Sequence, residues 1–416
     1  MAFDTCSFCG KNRIEVGSLI SGSYGAICFG CSDRAKKAAD NFKSSQVDNA
    51  LTTIPTPVEI VKHLDRYVIG QGAAKKALAV AVFNHFIRIN APSTFGDDVE
   101  IEKSNVMLIG PTGSGKTLLA KSIAKMLNVP FTIGDATRLT EAGFVGDDVE
   151  DILTPLVSQC GGDPKRMEKA IVFIDEIDKV TSGVATESMV RDVRGKGVQQ
   201  ALLKLLEGSK VRVPMPGHRR LARAGQEDSE VEVDTSNILF IVGGAFPGLH
   251  KIIAKRINKK AAIGYGGTSG LADNLQEESD LVSKVETEDL KSFGLIPEFL
   301  GRIPVSVALQ ELTVDQLVQV LTEPKNAIIK QQIKEIQLGS GVKLSFQDDA
   351  VKAIAEKAVR EGRGARGLRT IVEKVLQEVK FEIPSRRDVE EIVVTRDAVE
   401  GTSSPLFVLK EVSATA

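Results

Sequence analysis

At 416 residues the chain exceeds what one ordinary core encloses and suits two or three domains. Its 42% apolar and 26% charged residues are those of an ordinary globular protein, and a net charge of -2 supplies no overall basic field for nucleic acid. The N-terminus lacks a basic stretch followed by an apolar run, and no segment approaches the ~20 continuous apolar residues of a membrane span, so a cytoplasmic protein without membrane contact is expected.

Four of the five cysteines fall in the first 31 residues as two pairs, Cys6-x₂-Cys9 and Cys28-x₂-Cys31, while Cys160 stands alone. Two thiolate pairs at this spacing predict a Cys₄ zinc ribbon. Four thiolates leave no ligand position open, so the zinc is structural. A unit with so few apolar residues depends on it to fold, since zinc contributes about 10 to 16 kcal/mol in small fingers.

Residues 1–40 therefore form a zinc-binding domain. Residues 41–57 are polar, lack a helical period and end in Pro55-Thr-Pro57, which predicts a flexible tether. From 58 to 312 short apolar runs, Val106 to Ile109, Ile171 to Ile174 and Ile238 to Val242, alternate with helical patterns. Runs of this kind suit strands buried on both faces of a parallel sheet. Arg212 to Asp234 and Ala262 to Gly270 read as surface loops within this large domain. From 313 to 416 the pattern turns to amphipathic helices, Val314 to Leu321, Ala327 to Ile336 and Ala350 to Val359, with one β-like stretch at Glu391 to Thr395. This predicts a smaller, mostly helical domain with a C-terminal tail.

The motif G-x-x-x-x-G-K-[ST] is matched in full by Gly110, Pro111, Thr112, Gly113, Ser114, Gly115, Lys116 and Thr117, followed by Leu118 at the head of a helical run. Its glycines let backbone N–H groups turn toward phosphates at a helix N-terminus. Lys116 reaches the β- and γ-phosphates, and the Thr117 hydroxyl ligates Mg²⁺. Ile171-Val-Phe-Ile-Asp-Glu176 supplies the acidic half: Asp175 for the Mg²⁺ shell and Glu176 to polarise the attacking water.

Together these residues resemble the AAA+ family. Tyr67-Val-Ile-Gly-Gln71, Gly143-Phe-Val-Gly146, Gly197-Val-Gln-Gln-Ala-Leu-Leu203, Gly243-Gly-Ala-Phe246, Pro297-Glu-Phe-Leu-Gly-Arg302 and Gly364-Ala-Arg-Gly-Leu-Arg369 narrow the resemblance to the ClpX family, the unfoldase subunits of the Clp protease. The resemblance implies an α/β fold with an AAA+ P-loop large domain and a parallel sheet. It also implies an ATPase without peptidase activity, a homohexameric ring, a ClpP peptidase partner, and protein substrates and adaptors. Unfolding would proceed by threading substrates through the ring pore, with chaperone activity when the peptidase is absent.

By the same resemblance, Arg302 matches the arginine finger inserted into a neighbour's site and Arg366 matches the sensor-2 arginine. Val68 and Ile69 match the adenine pocket. Gly143, Phe144, Val145 and Gly146 match the pore loop that grips a translocating polypeptide, with Phe144 where most members carry Tyr. Arg191, Asp192 and Val193 match the second pore loop, although Lys196 stands where the family carries an acidic residue. His218, Arg219 and Arg220 are the nearest equivalent of the pore-entrance loop. Ile263, Gly264 and Tyr265 match the peptidase-docking loop, where the usual residue is Phe rather than Tyr265.

A nucleic-acid remodeller would carry basic pore loops, whereas the matched loop is aromatic and followed by Asp147 and Asp148. A non-hydrolysing scaffold would be expected to lose Lys116, Glu176 or Arg302, and all three are present. His63, His85, His218 and His250 lie in no protease motif. The polar residue that usually senses the γ-phosphate at the end of the fourth strand is not evident, because that strand runs into Gly243-Gly244.

Overall fold

The computed structural model describes residues 4–22, 24–36, 54–90, 101–140, 147–181, 195–214, 230–262 and 275–410. Two compact units divide the chain, Met1–Ile54 and Pro55–Ala416. Among the described residues no helix is long and apolar enough to cross a membrane.

The first unit holds a short helix α1 (Arg13–Val16) and an antiparallel pair, β1 (Leu19–Ser21) and β2 (Ala26–Cys28). Its only buried cluster consists, among the described residues, of Cys6, Cys28 and Cys31 with Cys9, Val16, Leu19 and Ile27 packed against them. So small an apolar surface cannot by itself offset the ordering of the chain.

The second unit begins with α2 (Pro57–Asp65), whose N-cap Thr56 and Glu59 form a capping box, and α3 (Gly72–Asn90). Pro57, expected to be the last residue of the tether, is the first of α2. Proline suits that position because its missing N–H would have no intrahelical partner there.

The central sheet comprises β3 (Val106–Ile109), β4 (Phe131–Asp135), β5 (Ile171–Asp175), β8 (Leu239–Gly244) and β9 (Val305–Ala308), in the order β4-β5-β8-β3-β9. All its pairings are parallel. β3 and β8 are buried throughout and β5 all but its last residue, as their unbroken apolar runs predict. β4 and β9 form the edges. Their runs are interrupted by Thr132, Gly134 and Ser306, so neither stands out by hydrophobicity alone.

Helices α4 (Lys116–Leu127), α5 (Thr154–Cys160), α6 (Lys196–Glu207), α7 (Leu249–Ala262), α8 (Leu275–Val282), α9 (Thr287–Phe293) and α10 (Pro297–Gly301), with the four-residue helix Pro164–Met167, belong to this part. Arg212 to Pro214 and Glu230 to Asp234, the ends of the expected surface loop, belong to an antiparallel hairpin, β6 (Lys210–Pro214) with β7 (Glu230–Asp234). Val211, Val213 and Val233 bury one face of the ladder while charged residues alternate with them. That period of two marks a strand, but the charges between disguised it.

A separate apolar cluster unites α11 (Val314–Thr322), α12 (Ile328–Ser340), α13 (Asp348–Arg360) and α14 (Gly364–Glu382) with a sheet of order β10-β11-β12. These strands are β10 (Lys343–Phe346), β11 (Val389–Val394) and β12 (Leu406–Leu409). The expected helices are present, and the single β-like stretch is the middle of three strands.

Candidate functional site

The order of the sheet leaves β8 alone between β3 and β5, so the loop after β3 and the acidic end of β5 face one another across the end of β8. Gly113 (φ 88°) and Gly115 (φ 100°) take left-handed conformations that fold Pro111 to Gly115 into a loop. Gly110 is also indispensable, because a Cβ there would lie 2.7 Å from the Leu309 carbonyl oxygen. Gly115 is the N-cap of α4 and brings no side-chain hydrogen bond, so the first N–H groups of that helix can serve an anion.

Lys116 is buried, and its Nζ donates to the carbonyls of Gly110 (2.6 Å) and Pro111 (3.0 Å). Burial lowers its pKa. Asp175 and Asp178 oppose that shift, and Arg366 adds to it. Thr117 Oγ1 lies 3.3 Å from Asp175 Oδ2, so the loop and the acidic strand end touch directly.

Glu176 follows Asp175 with φ 59° and ψ 32°, a left-handed conformation that costs a non-glycine residue about 1 to 3 kcal/mol. Its backbone N–H donates to Asp175 Oδ1 at 3.0 Å. This turn takes the chain out of the sheet at the cleft, which Glu176 lines. The 3₁₀ turn Ile177–Val180 follows, and within it Asp178 is buried and accepts the Ala245 N–H at 3.0 Å.

The two glycines closing β8 belong to this arrangement. A Cβ on Gly243 would stand 2.6 Å from Phe173 Cζ and 3.4 Å from Asp175 Oδ1, and one on Gly244 would stand 2.8 Å from Asp178 Oδ1. The space a sensing side chain would need is taken by the rings of Phe173 and Phe246 together with the Asp178 carboxylate.

A cleft of about 300 Å³ is lined by Thr112, Gly113, Lys116, Thr117, Asp175 and Glu176 together with Leu118, Asp178, Lys179 and, from α14, Ala365 and Arg366. A Cβ on Gly113 would lie 3.4 Å from the Ala365 nitrogen and 3.5 Å from that of Arg366, so the start of α14 is pressed against the loop. Two uncapped helix N-termini, of α4 and α14, thus converge on a site that also holds three cationic residues, Lys116, Lys179 and Arg366, a combination suited to a polyphosphate. Val68 is buried, with its Cγ1 3.8 Å from where a Cβ on Gly115 would stand, and Ile69 beside it is half-buried.

Arg302 is absent from this cleft. It sits past the end of α10, about half exposed, with its Nε 2.9 Å from Glu207 Oε1. The fold therefore brings together Lys116, Thr117, Asp175, Glu176 and Arg366 and leaves Arg302 elsewhere on the surface.

In the first unit the four sulfurs of Cys6, Cys9, Cys28 and Cys31 lie within 4.8 Å of one another, with Cys9 Sγ 3.9 Å from Cys28 Sγ. A tetrahedral zinc with bonds of about 2.3 Å separates its sulfurs by about 3.8 Å, so the cluster fits that ion. The Cys28 N–H points at Cys6 Sγ (3.3 Å), a contact that favours a thiolate.

The pore-loop residues Gly143, Phe144, Val145 and Gly146, the second-loop residues Arg191, Asp192 and Val193, the entrance residues His218, Arg219 and Arg220, and the docking residues Ile263, Gly264 and Tyr265 lie outside the described residues. Sequence reasoning passed over Asp178 and gave Gln71, the last residue of the block Tyr67 to Gln71, no role of its own. Asp178 repeats the acidic theme two residues after Glu176, the one signal that pointed to it. The Gln71 amide exchanges two hydrogen bonds with the backbone of Gln310 (2.7 and 3.0 Å) and reaches the Ser114 carbonyl at 3.4 Å, tying the loop to the chain after β9. Its partner is 239 residues away, so no local pattern announces it.

Residues 101–306 match the family model of the AAA domain (Cdc48 subfamily), residues 4–40 that of the ClpX C4-type zinc finger, and residues 312–395 that of the C-terminal, D2-small domain, of ClpB protein. The chain is similar to the ATP-dependent Clp protease ATP-binding subunit ClpX of Treponema denticola, at 47% identity over 96% of this chain and 94% of the relative. It is similar also to the protein of that name from Bacteroides fragilis, at 49% over 94% of each chain, and from Borrelia duttonii, at 46% over 97% of this chain and 92% of the relative.

Proposed function

The chain belongs to the ClpX family of AAA+ ATPases, and on that premise we propose that it is an ATP-dependent protein unfoldase and translocase. It acts as a homohexamer in the cytoplasm, threads substrates brought directly or by adaptors through its pore into ClpP, and works as a chaperone when the peptidase is absent. The observation that carries the reading is the cleft itself, where a phosphate loop, an acidic strand end and the arginine of a second apolar cluster meet. Closure of α14 on the phosphates would let hydrolysis move one cluster against the other, which is the mechanical output an unfoldase requires.

In this reading residues 1–40 are the zinc-binding domain, 41–57 the linker, 58–312 the large ATPase domain and 313–416 the small domain. The Val68 and Ile69 pocket takes adenine. Lys116 and the N–H groups of Gly113 and of Gly115 to Leu118 hold the phosphates, and Arg366 closes over them. Thr117 Oγ1 and Asp175 Oδ2, 3.3 Å apart, fit neighbouring positions around Mg²⁺, whose octahedral oxygens stand about 3 Å apart. When bound, that ion would neutralise charge on the phosphate oxygens.

Glu176 accepts a proton from water as the water oxygen bonds to the γ-phosphorus; the bond from that phosphorus to the β–γ bridging oxygen breaks, and ADP leaves with the electron pair. Arg302, remote from its own chain's cleft, answers the developing charge in a neighbour's site. An arginine supplied in this way contributes about 10³ to 10⁵ in rate. Threading must overcome a substrate stability of roughly 5 to 15 kcal/mol, and an apolar grip by Phe144 and Val145 would apply force without regard to substrate sequence.

The test is ATP-dependent loss of fluorescence from a stable folded reporter bearing an unstructured tail that the family recognises, without peptidase. The wild-type chain should unfold it, Glu176→Gln should neither hydrolyse nor unfold, and Phe144→Ala should hydrolyse without unfolding. ATP hydrolysis by the wild type that leaves tagged reporters folded would refute the unfoldase reading.

A further inference from the structure

The block Gly197 to Leu203 contributes nothing to the lining of the cleft, yet it holds a completely buried polar side chain, Gln199. Its Nε2 donates to the carbonyls of Val180 (2.7 Å) and Gly294 (3.2 Å), and its Oε1 accepts the Ile296 N–H at 2.8 Å. Val180 ends the 3₁₀ turn that begins directly after Glu176. Gly294 to Ile296 is the segment that leads into α10, and Arg302 is the residue that caps α10.

One amide therefore joins the backbone that carries the hydrolytic carboxylate to the backbone that carries the outward-facing arginine. The far end of α6 repeats the connection. Glu207 is ion-paired with Arg302, and Asn105 Nδ2 donates both to the Leu206 carbonyl (3.2 Å) and to the Arg302 carbonyl (2.8 Å). The helix is thus a strut fastened at its first turn to both segments and at its last turn to Arg302.

We infer that Gln199 is a positioning residue that couples, within one subunit, the Glu176 of its own ATP site to the Arg302 it presents to the neighbouring site. The inference rests on the reading above that Arg302 acts in trans. Gln199 touches no nucleotide and acts only through the two segments it ties. Packing alone does not account for a glutamine here: Val198, Leu202 and Leu205 around it are all part of the apolar core, where a methionine would fill the same volume. What the amide adds is three hydrogen bonds to the backbone of the two segments, which a methionine could not make.

The experiment uses full-length chains in mixed assemblies. Glu176→Gln subunits lack a base but supply an intact Arg302, and Arg302→Ala subunits have a base but lack the arginine. Co-assembled, they should hydrolyse ATP well above the sum of the separate rates. Gln199→Met subunits should bind nucleotide with an affinity within about threefold of wild type but hydrolyse it at least about tenfold more slowly, since misplacements near 1 Å cost up to about 10²-fold. They should also fail to rescue Arg302→Ala subunits.

A Gln199→Glu subunit adds a readout that a merely structural role would not move. A buried carboxyl can donate to the Val180 carbonyl only when protonated, so both its own rate and its rescue of Arg302→Ala should rise, relative to wild type at the same pH, from about pH 8 to about pH 6. This variant decides the matter if Gln199→Met does not assemble. Rescue of Arg302→Ala by Gln199→Met as effective as that by Glu176→Gln, or a pH-independent Gln199→Glu, overturns the coupling. Failure of the Glu176→Gln and Arg302→Ala pair to complement one another overturns instead the assignment of Arg302 in trans.

Discussion

Glu176 and Gly243 set the position of the acidic groups from opposite sides. The left-handed backbone at Glu176 turns the chain out of β5 where that residue lines the cleft, and the missing side chain at Gly243 leaves room for Asp175 and Phe173. Gly243→Ala should therefore be disproportionately damaging for one methyl group. With Phe173 only 2.6 Å from the new Cβ, the aromatic ring has to shift inside a fully buried strand. Overpacking of this kind costs about 1 to 3 kcal/mol, which a lowered melting temperature would register, and displacement of Asp175 should lower ATP hydrolysis in the same variant. Unchanged melting and hydrolysis would mean that the end of β8 yields more easily than its packing implies.

Among the elements, α3 carries a group whose titration is read in stability rather than activity. His85 is buried against Phe86, and burial, with Arg88 and Lys103 nearby, pushes its pKa from 6.5 down to about 3. The imidazole is thus neutral in the fold, whereas the unfolded chain takes up a proton near its ordinary value. Its contribution is fully present above about pH 6.5 and is lost as pH falls toward 3. By pH 5 the loss is about 2 kcal/mol. His85→Phe should flatten the fall in melting temperature between pH 6.5 and 5, measured on the full chain by circular dichroism. An undiminished acid slope in that variant would place the sensitivity at another group.

At the scale of the whole molecule, the two units depend on different physics. Pro55–Ala416 has extensive apolar cores, whereas the described core of Met1–Ile54 is largely the sulfurs of four cysteines. Removing metal from the full-length chain with a chelator should make the first unit sensitive to limited proteolysis while nucleotide binding by the remainder persists. Re-addition of zinc should restore resistance. Resistance that survives chelation would show that the first unit folds without metal.

Local chemistry was enough to reveal the P-loop, the acidic strand end, the thiolate pairs and the inner strands. Each depends on residue types at short fixed spacings, or on an unbroken apolar run that only a strand buried on both faces requires. Val211 and Val213 carried a usable period-two signal that the surrounding charges hid. The edge strands β4 and β9 were obscured because a strand covered on one side tolerates threonine, serine and glycine. The remaining features could be decided only in three dimensions. Gly243 and Gly244 look like the loss of a sensing residue until Phe173, Phe246 and Asp178 are seen to fill that space. Gln71 and Gln199 look like ordinary polar residues until their amides meet backbone groups 239 and 97 residues away. The sequence by itself determined which chemistry the chain carries, because phosphate and metal recognition rest on contiguous residues. Only the tertiary structure decided how that chemistry is held and linked, because hydrogen bonds between distant segments leave no local period to read.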